Sequence, residues 1–192
     1  ERTALLAGRM LWRNAASSVH RDLEAAGDDR PLYWQRLATN RAARADCPDA
    51  IATFESASRG FADVIYDAGS EVKVLVTGFD PFGLDRDVTQ SNPSGVAALF
   101  LDDLRTEIDV DGSRRSVEIQ SLVVPVRFGD FDEGLVEREI VPLALRSDVD
   151  LLITISMGRE AFDLERFPGR RRSARAPDNR DVLTGGNAES PV

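Results

Sequence analysis

Three apolar, β-branched runs in the later two-thirds of the chain limit the folds that are open to it. They span Val72–Thr77, Val117–Val126 and Asp150–Ser156, and the third is almost continuously apolar, as in strands covered on both faces. Helical patterns lie between them, at about 92–104 and 131–145. This β-α-β-α-β order predicts an α/β fold of three layers, α/β/α, with a largely parallel sheet.

The chain before residue 72 has the pattern of helices. Leu11, Ala15, Val19 and Leu23 recur at four-residue spacing, and the segment Gly27–Pro31 breaks this first helix. Asp28 or Asp29 can cap the second helix. Two further helices are predicted, from Leu32 to about Ala45 and from Pro48 to about Ser58. We therefore predict an all-helical N-terminal extension at residues 1–70, followed by an α/β domain at residues 71–192.

Composition excludes several classes of protein. The formal net charge of −9 over 192 residues argues against a nucleic-acid-binding protein, which needs a basic surface. No apolar run reaches the length of a membrane span, so no membrane partner is expected, and no signal peptide is visible. Because the sequence begins with Glu1, removal of an upstream segment, and therefore secretion, stays open.

The chain has one cysteine and one histidine, which restricts the chemistry it can perform alone. A single Cys47 excludes an intrachain disulfide and a site of several cysteines for a metal, and we expect no metal and no cofactor. His20 lies in the first predicted helix, far along the chain from any strand-end loop, and is expected to be exposed. A self-contained Cys–His or Ser–His centre is therefore not expected.

The loop after the first strand carries two phenylalanines, Phe79 and Phe82, around Pro81. Proline fixes its own φ angle, and the flanking Gly78 and Gly83 allow tight or positive-φ turns, so the rings are expected to be held in place. Loops at the carboxyl ends of parallel strands are where α/β sheets bind ligands. The pair predicts a pocket for a flat, mostly apolar group, and the alternative is the rim of a core.

Two motifs in this region resemble a known family. Gly78-Phe-Asp-Pro-Phe-Gly83, followed by Ser91-Asn-Pro-Ser94, is similar to the N-terminal signature of the pyroglutamyl peptidase I (pyrrolidone-carboxylate peptidase) family. Asn92 is a good N-cap, and Pro93 suits the first position of the helix that follows. The resemblance covers roughly residues 72–192 and implies that Phe79 and Phe82 bind the substrate's lactam ring.

The end of the chain carries the second half of the resemblance. By correspondence with the family, Glu165, which precedes Arg166, takes the place of the carboxylate that orients a catalytic histidine. Arg175, in the segment Ala-Arg-Ala-Pro-Asp-Asn, takes the place of the active-site arginine, which stabilises negative charge. Without the resemblance, Glu165 and Arg166 would be read as a surface ion pair.

The sequence also departs from the family pattern. Ser156-Met157 replaces a glutamine-containing loop, and Ser173 stands where the family usually has aspartate. The family's nucleophilic cysteine and histidine base lie further along its chain, so they are expected downstream of Val192. The 192 residues alone are predicted to be inactive, and neither Cys47 nor His20 is expected to substitute.

The resemblance implies a hydrolase, a thiol protease whose partner is a peptide substrate with N-terminal 5-oxoproline (pyroglutamate). It would remove that residue through a thioester acyl-enzyme. The rival interpretation is a non-catalytic binding module that keeps the peptidase fold. A third makes the helical extension a docking domain or cap, with Trp12, Tyr33 and Trp34 at an interface, although core packing explains them as well. The resemblance also implies a cytoplasmic protein, and a homo-oligomer stays open.

Overall fold

The computed structural model describes residues 1–22, 24, 27–43, 48–158, 162–167 and 176–183, and within them four strands form one sheet. The strands are β1 (Val72–Phe79), β2 (Leu104–Val110), β3 (Ser113–Val124) and β4 (Leu151–Thr154). The helices are α1 (Arg2–Arg21), α2 (Arg30–Ala43), α3 (Pro48–Ala57), α4 (Pro93–Leu101), α5 (Phe128–Asp132) and α6 (Val141–Arg146), with one π-helical turn at Val136–Ile140.

The sheet has the order β2-β3-β1-β4, and β1 lies at its centre. Strand β1 runs parallel to β3, with Val72 opposite Val117, and parallel to β4, with Val74 opposite Leu151. Strand β2 is antiparallel to β3. The prediction of an α/β fold with a largely parallel sheet is confirmed, and the carboxyl ends of β1, β3 and β4 lie at one edge.

Strand β2 is the element that the sequence interpretation missed. The helix predicted to run to about Leu104 ends at Leu101, and Asp103 turns the chain with a φ of 56°. A two-residue Asp111-Gly112 turn, with φ angles of 52° and 78°, then joins β2 to β3. Positive φ at both positions is the geometry of a type I′ hairpin, whose twist matches that of the paired strands.

The second crossover helix is interrupted. Instead of one helix over residues 131–145, the chain forms α5, the π-helical turn and α6 in succession. Gly134, with a φ of 79°, ends the first piece. Pro142 lies at the start of α6, directly after the π-helical turn.

Helices cover both faces of the sheet, which gives the three layers that were predicted. On one face, Val74 and Val76 of β1 pack in a cluster with Val117 and Leu101 beside α4. On the other face, apolar side chains of β1 and β3 pack against the π-helical turn and α6 (Leu75, Leu122, Val124, Ile140 and Leu143).

The N-terminal helices pack on this α/β layer. Trp12 of α1 is fully buried in a cluster with Leu99 and Val123, and its indole Nε1 donates to Asp102 Oδ2 at 2.9 Å. Tyr33 is also buried, whereas Trp34 is 43% exposed. The backbone N–H of Val123, in β3, donates to the Arg59 carbonyl at 2.9 Å. The division into two domains at residue 70 stays a prediction, across a boundary that many contacts span.

Strand β4 forms one edge of the sheet and is exposed along its whole length. Its apolar side chains Leu151, Leu152 and Ile153 are 51%, 42% and 40% exposed. The opposite edge, β2, alternates apolar residues with Arg105, Glu107 and other polar residues. The two edges of the sheet therefore differ in chemical character.

Candidate functional site

The end of β1 lies against the start of α4 at backbone contact distance. A Cβ atom on Gly78 would stand 2.2 Å from the Ser94 carbonyl oxygen, so only glycine fits there. The Phe79 N–H donates to Ser94 Oγ at 3.1 Å. Gly78 therefore permits the close approach of strand and helix, whereas the positive φ expected of a turn glycine is found at Gly83, at 70°.

Asn92 joins the helix start to the loop that follows β1. Its Oδ1 accepts hydrogen bonds from the backbone N–H and the hydroxyl of Ser94, at 3.0 and 2.8 Å. Its Nδ2 donates to the Asp80 carbonyl at 2.9 Å. The predicted N-cap is therefore confirmed, and the same side chain also fixes the backbone of the loop.

The segment Phe79–Gly83, which we call the Phe79–Gly83 loop, is also held by hydrogen bonds from other parts of the chain. Gln90 Nε2 donates to the Phe82 carbonyl at 3.0 Å, and Asn179 Nδ2 donates to the Pro81 carbonyl at 2.8 Å. The Asp80 N–H donates to the Val124 carbonyl of β3 at 3.0 Å. Three separate parts of the chain thus fix consecutive peptide groups of this loop.

The two phenylalanines of the loop have different surroundings. Phe79 is partly buried at the rim of the core under α6 and stacks on Phe131, with ring centroids 6.4 Å apart and an interplanar angle of 28°. Phe82 is half-buried. Phe79 therefore contributes to the core as well as to the loop, and Phe82 is the ring that is less engaged in packing.

The side chain of Asp80 lies beneath the loop, between two arginines from the helical segment. It is 3% exposed, and its Oδ1 accepts from Arg36 Nη2 at 2.5 Å while its Oδ2 pairs with Arg59 Nη2 at 2.7 Å. We call these three residues the Asp80 clamp. Both carboxylate oxygens are used, so the charge of Asp80 is compensated inside the protein.

The clamp continues into a chain of ion pairs along the carboxyl edge of the sheet. Arg59 Nη2 pairs with Glu55 Oε1 at 2.8 Å, and Arg127 Nη1 pairs with the same oxygen at 3.2 Å. Burial alone would raise the pKa of Glu55, but Arg59, Arg36 and Arg127 lower it to about 2. Arg127 also pairs with Asp130 in α5. The network thus connects the loops that follow β1 and β3.

The segment 176–183 docks on this edge through Asp178 and Asn179. Asp178 Oδ2 accepts from the Phe128 N–H at 2.7 Å, at the start of α5. The Asn179 N–H donates to the Val126 carbonyl at 2.9 Å. The Pro-Asp-Asn part of the segment that carries the family resemblance is therefore in contact with both strand-end loops.

Of the two catalytic residues predicted from the resemblance, Glu165 lies within the described part of the chain. Glu165 is exposed, and no hydrogen bond or ion pair with another described residue involves it. Arg175 lies outside the described residues, three positions before Asp178, and Cys47 also lies outside them. His20 is exposed on α1, as expected, and its Nε2 lies 2.9 Å from the Phe100 carbonyl oxygen.

Sequence reasoning missed the Asp80 clamp. One signal was present: Leu32, Tyr33 and Arg36 lie on one face of α2, so an arginine shares the buried stripe of this helix. Its guanidinium lies over the Tyr33 ring at 5.8 Å. A charged residue on an apolar helix face predicts a buried partner, but the pattern does not say which carboxylate it is.

Two further findings bear on ligand and membrane chemistry. Within the described residues, no group of three or more histidine, cysteine, aspartate or glutamate side chains is arranged to hold a metal ion. No described helix is both long enough and apolar enough to cross a bilayer.

Comparison with known proteins gives one family match. The family model described as "PA0049, C-terminal domain" matches residues 73–191. An uncharacterized protein, PA0049 of Pseudomonas aeruginosa, is 34% identical over 194 residues, which cover 85% of this chain and 34% of that protein. The match begins at β1 and includes every strand of the sheet.

A peptidase is also similar to part of the chain. The pyrrolidone-carboxylate peptidase of Pyrococcus furiosus is 33% identical over 108 residues, which cover 56% of this chain and 45% of the peptidase. The chain thus spans about a third of the first relative and less than half of the second. No solved structure matches it significantly.

Proposed function

The chain belongs to the family of the PA0049 C-terminal domain, and from that premise we propose that it carries the substrate-binding part of a cysteine peptidase that removes N-terminal 5-oxoproline from peptides. The partial similarity to a pyrrolidone-carboxylate peptidase supports this reaction class. The observation that carries the proposal is the fixed Phe79–Gly83 loop, in which hydrogen bonds hold the backbone on both sides of a half-buried Phe82.

A fixed loop with aromatic residues suits the pyroglutamyl ring. The lactam is flat and uncharged, so an apolar pocket can take it without burying an ammonium group. Phe79 and Phe82 contact the ring in this proposal, and backbone groups of the loop bind its N–H and C=O. The ring then sits at the carboxyl edge of the sheet, where loops from distant parts of the sequence converge.

The proposed chemistry is acyl transfer through a thiol. A cysteine thiolate attacks the pyroglutamyl carbonyl carbon, the C–N bond breaks, and the amine leaves with a proton from a histidine. Water then hydrolyses the thioester and releases pyroglutamate. The cysteine and histidine come from residues outside this sequence in this proposal. Glu165 orients the histidine, and Arg175 stabilises the oxyanion.

The rival is a binding module that keeps the pocket without the chemistry. The departure at Ser156-Met157, which replaces the glutamine-containing loop of the peptidase family, favours this alternative. Under this alternative the protein binds a pyroglutamyl end and releases it unchanged.

Hydrolysis of a pyroglutamyl arylamide by the full-length protein tests the proposal. We expect turnover in the wild type and a KM raised about tenfold in Phe82→Ala, because a contact worth about 1.4 kcal/mol in the bound ring is removed. Glu165→Ala is expected to lower kcat by at least about a hundredfold. Phe100→Ala is the matched control, because Phe100 is a partly exposed ring on α4 that contacts His20.

Each result separates the two interpretations. Turnover that Glu165→Ala leaves unchanged would refute the role of Glu165. If the wild type binds free pyroglutamate but does not cleave the arylamide, and Phe82→Ala abolishes that binding, the protein is the binding module. Neither binding nor turnover in the wild type would rule out both.

A further inference from the structure

We propose that Arg36 and Arg59 are positioning residues, which set the conformation of the Phe79–Gly83 loop through Asp80 and thereby set the affinity for the substrate ring. The part of this inference that concerns substrate rests on the proposed function. The part that concerns the loop rests on the structure alone. Both arginines lie before residue 73, where the match to the family model begins.

The Asp80 clamp acts on the middle of the loop. Asp80 stands between Phe79 and Pro81-Phe82, so the orientation of its side chain and that of the loop backbone are coupled. Its N–H and C=O are already bonded to Val124 and Asn92. The clamp fixes the remaining group of this residue, its carboxylate, at both oxygens.

Both guanidinium groups are themselves held in place. Arg36 Nη1 donates to the Ser58 carbonyl at 3.4 Å, and the Tyr33 ring lies beside its guanidinium. Arg59 Nε and Nη2 both reach Glu55 Oε1, at 3.2 and 2.8 Å. Both guanidinium groups are therefore held in place by contacts other than Asp80, so they can in turn fix the orientation of its carboxylate.

The two arginines do not contact the substrate in this proposal. Arg36 is 1% and Arg59 4% exposed, so neither reaches the outer surface of the loop. Their effect must pass through Asp80. This predicts that the helical segment contributes to substrate affinity without supplying a group to the pocket, and that the contribution disappears when Asp80 loses its charge.

Kinetics of the full-length protein with the pyroglutamyl arylamide test the substrate part. In Asp80→Asn and in Arg36→Met we expect KM to rise about tenfold while kcat stays within about threefold. The double variant is expected to have the KM of Asp80→Asn alone, because Arg36 acts only through Asp80. A KM unchanged in Asp80→Asn, or increases that multiply in the double variant, would overturn the proposal.

Asp63→Asn is the matched control. Asp63 is also buried and is paired with two arginines of the helical segment, Arg9 and Arg13, but it lies outside the clamp. We expect this variant to lose stability and to keep the wild-type KM. A KM raised equally in Asp63→Asn would show that the effect is general destabilisation, and the proposal would fail.

Hydrogen–deuterium exchange tests the loop part without any turnover. In Asp80→Asn, the amides of Phe79 and Asp80, which donate to Ser94 Oγ and to the Val124 carbonyl, are expected to exchange at least about tenfold faster, while those of β1 before Gly78 and of β3 stay protected. Acceleration spread over the whole sheet would overturn the proposal. If the wild type neither binds nor cleaves the arylamide, the proposed function fails, and exchange alone then decides whether the clamp holds the loop.

Discussion

At the scale of single residues, Asp29 is a buried carboxyl group that forms no ion pair with another residue of the described part of the chain. Its Oδ1 accepts from the Asn92 N–H at 2.9 Å, and its Oδ2, next to Gly95, is buried without a hydrogen-bond partner. Burial raises the pKa of Asp29 to about 7. The folded protein therefore holds a proton on Asp29 at pH values at which the unfolded chain has released it.

Asp29→Asn tests this assignment. For a carboxyl whose pKa is raised on folding, the stabilisation is present below pH 4 and is lost as the pH rises to about 7. We expect the free energy of unfolding of Asp29→Asn, relative to that of the wild type, to rise by up to about 4 kcal/mol from pH 4 to pH 8, as measured by urea unfolding. The gain should level off above pH 7.

Asp28→Asn is the control of opposite sign. The hydrogen bond from Arg30 lowers the pKa of Asp28, so its stabilisation is present at neutral pH and is lost in acid. Relative to the wild type, Asp28→Asn should be less stable at pH 7 and approach it as the pH falls below 4. A flat pH profile for Asp29→Asn would contradict the raised pKa.

At the scale of elements, the contact between β1 and α4 depends on the absence of one side chain. In Gly78→Ala the new Cβ meets the Ser94 carbonyl oxygen at 2.2 Å and its carbonyl carbon at 2.7 Å. Backbone atoms cannot rotate away as a side chain does, so the strand or the helix must move. We expect a loss of about 2–3 kcal/mol in the free energy of unfolding, measured as a lower urea midpoint.

Gly129→Ala provides the comparison. Gly129 lies in α5, and a Cβ atom there meets nothing within 4 Å. Because alanine is the better helix former, this variant should stay within about 1 kcal/mol of the wild type. Equal losses in the two variants would mean that the close approach at Gly78 is not the cause.

The elements that sequence reasoning found are those with a strong local signal. β1 and β4 are apolar runs, and α4 begins with the Asn92-Pro93 cap. Strand β2 was missed because it carries Glu107 and Asp109, residue types that strands disfavour, although its alternation of apolar and polar residues is a strand pattern. The Asp111-Gly112 pair was the available signal for the hairpin, since this dipeptide favours a type I′ turn.

At the scale of the whole molecule, the sequence could not predict the ion pairs across the carboxyl edge. Asp80 meets an arginine 44 residues earlier in the chain, and no local pattern records such a pairing. The loop and its two phenylalanines were predictable, because proline and glycine restrict the backbone locally. The assembly of Glu165 and Arg175 with that loop stays a prediction, since it depends on contacts that the described residues do not include.

The exposed strand β4 has a consequence for solubility. Edge strands without charges can pair with other chains, and proteins usually protect such edges with lysine or other charged residues. We expect these 192 residues, expressed alone, to associate with increasing concentration, and Leu152→Lys to reduce the association in sedimentation velocity. Ile108→Lys on β2 is the control, since its side chain has the same exposure of 42%. An equal effect of both substitutions would indicate that β4 is not the contact.

The position of the edge strand β4 also determines where a further strand that paired with it would place its side chains. A strand pairing with β4 in the parallel direction lies about 4.8 Å from β4 and therefore about 10 Å from β1. The carboxyl end of this further strand then lies at the same end of the sheet as the Phe79–Gly83 loop. The distance between the two is about the length of three residues of extended chain. In the proposed function, a substrate bound at the Phe79–Gly83 loop would therefore reach a side chain carried by that neighbouring strand.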